Sequence, residues 1–91
     1  MVKKKSIKQI LREAYNKKVT VKIRYYSPMN NEITYREIAI YDLQKDFLTA
    51  FCYKRQAERT FVKERIGFAK IIGEKYALPE DWTPQSKVWS T

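Results

Sequence analysis

Between residues 53 and 65 the chain carries Tyr53, Lys54, Arg55, Arg59, Phe61, Lys63 and Arg65, so that cationic groups stand among aromatic rings. An arginine offers a planar fork of N–H donors that binds phosphate oxygens in pairs, and an aromatic face can stack on a base. The chemistry this stretch suits is recognition of an oligonucleotide or a nucleotide. The structural alternative is that Arg59 and Arg65 pair with Glu58, Glu64 or a neighbouring strand and only support the fold. Tyr53 is open to two roles in the same way, as a ligand platform or as packing at a sheet rim.

Catalytic chemistry finds few candidates. The chain has no histidine, which removes the usual general base, the Ser-His and Cys-His pairs, and every zinc site that needs imidazole. Asp42, Asp46, Glu58 and Glu64 are scattered through the pattern, and no pair is placed for metal-assisted phosphodiester cleavage. Cys52 is the single cysteine and falls in the most apolar stretch, where an inert buried thiol is expected rather than a nucleophile. One cysteine closes no intrachain disulfide and makes no Cys-only metal site, which fits a reducing compartment. The expectation is a binding protein that is not an enzyme, with no metal and no cofactor.

Lysine and arginine outnumber aspartate and glutamate by 19 to 10, a net charge of +9. The excess is uneven: residues 1–24 carry +8, residues 25–50 carry −2, residues 51–75 carry +4 and residues 76–91 carry −1. Such a balance favours a polyanionic partner, nucleic acid above all. No stretch approaches the length of an apolar membrane span, and the Met-Val-Lys-Lys-Lys start lacks the apolar run of a secretion signal. A cytoplasmic protein with no membrane contact is expected, and self-association is left open.

These residues need a scaffold. Ile7, Ile10, Leu11 and Ala14 follow the spacing of one helical face, and Ser6 with Gln9 matches a capping box, so a helix is predicted over about 6–16. At Val19 the period becomes two, with Val19, Val21, Ile23 and Tyr25 facing one way, which predicts a strand. The Ser27–Asn31 turn leads into a second strand over about Ile33–Ile40. Phe47–Tyr53 reads as a central strand, Arg59–Lys63 as a fourth, and Phe68–Ile72, between Gly67 and Gly73, as a fifth. The predicted fold class is α+β, mainly β: an N-terminal helix packed on a five-stranded small barrel of the SH3-like or Sm-like kind, since closure removes exposed edges. Organisation follows as a basic arm over 1–5, a folded domain over 6–82 in which Trp82 packs on the barrel, and a tail over 83–91 whose last residues fray.

The order of these motifs resembles the WYL domain, a ligand-binding module common in bacterial transcription regulators and found in some CRISPR-associated and phage-defence proteins. The likeness is carried by Ile10–Ala14, then Val19–Tyr26 ending in tyrosine, then the arginine-led Tyr35–Ile40. Arg55 with Arg59-Thr60-Phe61 and Arg65-Ile66 follows the family's arginine spacing, and Tyr76–Trp82 looks like its aromatic, proline, aromatic close. Of the name-giving Trp-Tyr-Leu triplet only the leucine remains, in Asp46-Phe47-Leu48, and Ile40 stands where a proline is usual. The resemblance implies a five-stranded Sm-like or SH3-like barrel that binds nucleic acid, including single-stranded DNA, or nucleotide-derived effectors. Carried over by position, it assigns Tyr25, Arg36, Arg55, Arg59 and Arg65 to the ligand, beside the Tyr53 read from the residues themselves; Tyr25, like Tyr53, is also open to a packing role. A free-standing module without the usual helix-turn-helix is expected, one that does not read a promoter by itself. The competing expectation is an adaptor that docks on a larger regulatory or defence protein.

Overall fold

The computed structural model of the chain describes residues 5–80 and 82. Most of the basic arm, and the tail beyond Trp82 whose last residues were expected to fray, lie outside the described residues. Helix α1 spans Ile7–Lys17. Ser6 accepts the Gln9 backbone N–H at 3.2 Å while Gln9 takes the Ser6 N–H at 2.8 Å, so the predicted capping box forms and satisfies two free donors. The helix ends because Lys18 turns into the left-handed region at φ 55° and gives its backbone N–H to the Ala14 and Tyr15 carbonyls. Leu11 and Ala14 form its buried stripe, flanked by Ile7, Ile10 and Tyr15, and they pack it on the sheet.

The strands are β1 (Val19–Ser27), β2 (Glu32–Leu43), β3 (Phe47–Cys52), β4 (Ala57–Val62) and β5 (Ile66–Lys75), with a 3-10 turn at Lys63–Arg65. They form one sheet in the order β4-β3-β2-β1-β5, and every adjacent pair is antiparallel. Alternation in β1 puts Val21, Ile23 and Tyr25 inward, where they meet Ile38 and Ile40 of β2, Leu48, Ala50 and Cys52 of β3, and Phe61 of β4. Register shifts interrupt the β1–β5 and β2–β3 ladders, and such irregularities bend strands.

The bending brings distant strands together. The Tyr25 ring stands edge-on to Phe61 at 4.9 Å, and its hydroxyl accepts the Val62 N–H at 3.0 Å, joining β1 to β4, which are not neighbours in the sheet. The helix on a five-stranded, mainly β sheet is as predicted. Barrel closure is a different matter: among the described residues no ladder joins β4 to β5, the two ends of the order, which are connected instead by the 3-10 turn.

Three boundaries differ from the sequence reading. β4 starts at Ala57 because Gln56 adopts a left-handed φ of 55° and closes the preceding turn there. β2 continues to Leu43 through the register shift beyond Ile40. β5 runs through both glycines that were read as its limits. Gly67 is where the Arg24 guanidinium crosses the strand: a Cβ there would stand 2.8 Å from Arg24 Nη2. Gly73 supplies a φ of +86° within the strand.

After β5 the chain returns over the sheet. The Tyr76 N–H bonds the Lys18 carbonyl at 3.1 Å and its hydroxyl donates to the Ile40 carbonyl. Trp82 packs edge-on against Tyr41 at 5.4 Å and donates its indole N–H to the Glu58 carboxylate at 2.7 Å.

Candidate functional site

A strand with one buried face sends every second side chain to solvent. In β1 that outward set is Lys22, Arg24 and Tyr26. The register sets Tyr35 of β2 and Phe68 of β5 on either side of Arg24, and Glu37 and Lys70 on either side of Lys22. Beyond Tyr26 lies Ile33. Rings on this face are unusually open for a folded chain: Tyr35 is 55% exposed, and Tyr26 and Phe68 about 40%. The face therefore combines solvated aromatic surface with ammonium and guanidinium groups, where a half-buried sheet ordinarily presents scattered polar residues.

Two shallow grooves cut this face. One, of about 460 Å³, is lined by Lys22, Tyr35, Arg36, Glu37, Tyr53 and Lys54. Lys22 Nζ stands 5.7 Å from the centre of the Tyr35 ring, a cation–π approach. Tyr53 is held at its end by its N–H to the Glu37 carbonyl at 3.1 Å and by edge-on packing on Phe51 at 5.3 Å. The other groove, of about 300 Å³, is lined by Arg24, Tyr26, Ile33, Glu64, Arg65 and Gly67. Arg24 is fixed there by donating to the Gly67 carbonyl at 3.1 Å, and Tyr26 by donating to Asn31 Oδ1 at 3.1 Å. Because Lys22 and Arg24 are two residues apart on one strand, the grooves form adjacent parts of one surface.

The structure distributes the residues singled out from sequence. Arg36 and Tyr53 line the first groove and Arg65 the second. Arg55 is exposed on the β3–β4 turn. Arg59 pairs with Ala50 in the ladder, which puts it on the face of Phe61, and its guanidinium donates to the Glu58 carbonyl at 3.2 Å. Neither Arg55 nor Arg59 lines either groove. Among the described residues the ion pairs alternatively expected of Arg59 and Arg65 do not form, since the bond of Arg59 is to a backbone oxygen and the Glu58 carboxylate goes to Trp82.

Two assignments that the resemblance implied point into the core. Tyr25 has no exposed surface, and its hydroxyl is occupied by Val62, which is the packing role. Arg36 is 4% exposed; its Nε donates to Thr34 Oγ1 at 3.2 Å, and its guanidinium lies 5.7 Å from the Phe61 ring and 3.9 Å from Cys52 Sγ. An arginine so placed shapes the groove floor from within.

Sequence reasoning missed Lys22, Arg24, Tyr26, Tyr35, Phe68 and Lys70. A signal existed: the polar phase of β1 and β2 contains Tyr26, Ile33 and Tyr35, which is more apolar than a solvated face requires. What sequence alone did not supply was the β1–β5 pairing that adds Phe68 and Lys70.

The comparisons with known proteins agree with this architecture. A family model described as the WYL domain matches residues 6–71. None of the curated proteins matches the chain. Among solved structures, proteasome accessory factor B/C of Arthrobacter aurescens is similar, with a TM-score of 0.64 and 22% identity. The match covers 71% of this chain and 11% of that one, so the chain spans about a tenth of that protein and the likeness is one of fold.

Proposed function

The chain belongs to the WYL domain family, and from that premise we propose that it is a regulatory ligand-sensing module whose ligand is a nucleic acid or a nucleotide-derived effector. The observation that carries the reading is the outward face of β5, β1 and β2, where Phe68, Arg24 and Tyr35 stand in one cross-strand row beside Lys70 and Lys22. Neighbouring strands are about 4.8 Å apart, so the backbone positions that carry the two rings lie about 10 Å apart with the Arg24 position between them. Rings take bases, cations take the phosphates linking them, and neither contact selects a sequence. The two grooves extend the surface to Tyr53 and Lys54 at one end and Arg65 at the other.

A second reading is favoured by one observation. At the β1–β2 hairpin end of the face, Ile33 is 61% and Met29 78% exposed, an apolar end suited to docking a protein partner. Salt separates the two, because phosphate binding weakens steeply as salt rises while an apolar interface responds little. The test is a titration of the chain with short single-stranded DNA, RNA and cyclic nucleotides at low and moderate salt, followed by backbone amide shifts. Saturable, salt-sensitive shifts centred on Arg24, Tyr35 and Phe68 are expected. Absence of binding by all three classes at low salt overturns the reading.

A further inference from the structure

A third concavity, of about 250 Å³, lies where α1 meets the β2–β3 turn and the 3-10 turn. Its floor is apolar: Ile7 and Leu11 from the helix and Ile66 from the start of β5. Lys8, Lys45 and Lys63 line it together with Asp46 and Glu64. Its walls are tied to one another, since the Lys63 N–H bonds the Asp46 carbonyl at 2.9 Å and Lys63 Nζ bonds the Gln44 carbonyl at 3.0 Å. Apart from Glu64, none of these residues lines the two grooves of the outer face.

The charge at this seam is only partly offset, since Lys8, Lys45 and Lys63 share it with Asp46 and Glu64 and Arg12 stands close by. Among the described residues, no ion pair ties Lys8, Lys45 or Lys63 to Asp46 or Glu64. Burial, with Lys8 and Arg12 close by, holds the Lys63 ammonium below the usual lysine range, and Asp46 opposes this only in part. An anion placed there relieves repulsion among cations that the fold has brought together. The backbone N–H groups of Ser6 and Gln9 at the start of α1 are already taken up by the capping box.

We propose that this seam binds a small organic anion, an acid group on a short apolar body, with the acid among the lysines and the body on Ile7, Leu11 and Ile66. The volume lies just below the range of drug-sized ligand pockets, which suits a single ring or a short chain. No exposed aromatic ring lines the cavity, which distinguishes its chemistry from the base-stacking outer face. The proposal stands independently of that face.

The experiment is an amide-shift titration of the full chain at constant ionic strength with four probes: benzoate, hexanoate, benzamide and inorganic phosphate. Saturable shifts at Lys8, Lys45, Lys63 and Ile66 are expected with benzoate and hexanoate, at affinities at least tenfold above those for benzamide and phosphate. Replacing Lys63 also removes its bond to Gln44, so the variant used is the double change Lys8→Gln and Lys45→Gln at exposed positions, which should weaken benzoate at least tenfold. Phosphate binding as well as benzoate would show that the apolar floor takes no part. Benzamide binding as well as benzoate would show the same of the lysines. Either result overturns the proposal, as does a failure of both organic acids to saturate.

Discussion

Tyr35→Ala is the sharpest probe of the outer face, because the ring is more than half exposed and its removal leaves the core untouched. A substitution at such a position changes stability by about 0.5 kcal/mol or less. If a base stacks on the ring, its loss weakens single-stranded binding by about 1–3 kcal/mol, or roughly 5- to 150-fold. The charge contribution is separable. Lys22, Arg24, Lys54 and Lys70 are the cations of the face nearest the ring. If each neutralises one phosphate, log K falls against log salt with a slope of about −0.7 per cation, or about −3 in all, which is roughly 50-fold between 50 and 200 mM. Fluorescence anisotropy with a labelled oligothymidylate at several salt concentrations reads both quantities. Tyr35→Ala and Phe68→Ala should shift the line down with its slope unchanged, whereas Lys22→Gln should flatten it by about 0.7. Both ring variants binding within twofold of the parent chain would refute stacking. A Lys22→Gln line parallel to the parent would remove the phosphate contact as well.

Arg65→Ala should weaken oligonucleotide binding by about 1.5–3 kcal/mol, the size of a hydrogen bond to a charged group; an equal loss in Arg59→Ala would instead place the ligand on the inward face of β4. Phe61→Ala removes a ring with no exposed surface that packs on Tyr25, and should cost about 3–5 kcal/mol in urea unfolding. An unchanged midpoint would mean that this packing contributes nothing. Tyr25→Phe keeps the ring but leaves the Val62 N–H without its acceptor, so a loss of about 1–3 kcal/mol is expected if that donor stays shielded from water. Burial pushes the Tyr76 hydroxyl up to about 12 from an ordinary 10. The folded state thus holds this proton more tightly than the unfolded chain, so the stability it contributes is full below pH 10 and lost as pH rises through about 12. Tyrosinate absorbance compared between the parent chain and Tyr76→Phe checks this, and a Tyr76 that titrates at 10 contradicts it.

Periodicity and local chemistry were enough to place the helix and all five strands. The capping box at Ser6 and Gln9 and the turn at Pro28–Asn31 depend on interactions within a few residues, and the alternation of Val21, Ile23 and Tyr25 is a pattern read within one strand. Such interactions are legible because each is complete within its own segment. The order of motifs also led to the family, since the arginine spacing through Arg55, Arg59 and Arg65 is itself a linear pattern. The spatial grouping of those arginines was not legible. Arg59 and Arg65 are close in sequence, yet one follows the pleat onto the face of Phe61 and the other stands on a 3-10 turn beside Arg24.

The outer face was hidden for a related reason. Tyr35, Arg24 and Phe68 become neighbours only through the register of β2 on β1 and of β5 on β1, and a shift of one residue would turn each set to the opposite side. The interval from Arg24 to Phe68 is set by long-range pairing and leaves no periodic trace in the chain. By itself, the sequence determined which residues prefer to be buried and which segments are helix or strand. Only the tertiary structure decided which solvent-facing side chains share a surface, because that depends on how strands far apart in the chain align across their backbone hydrogen bonds.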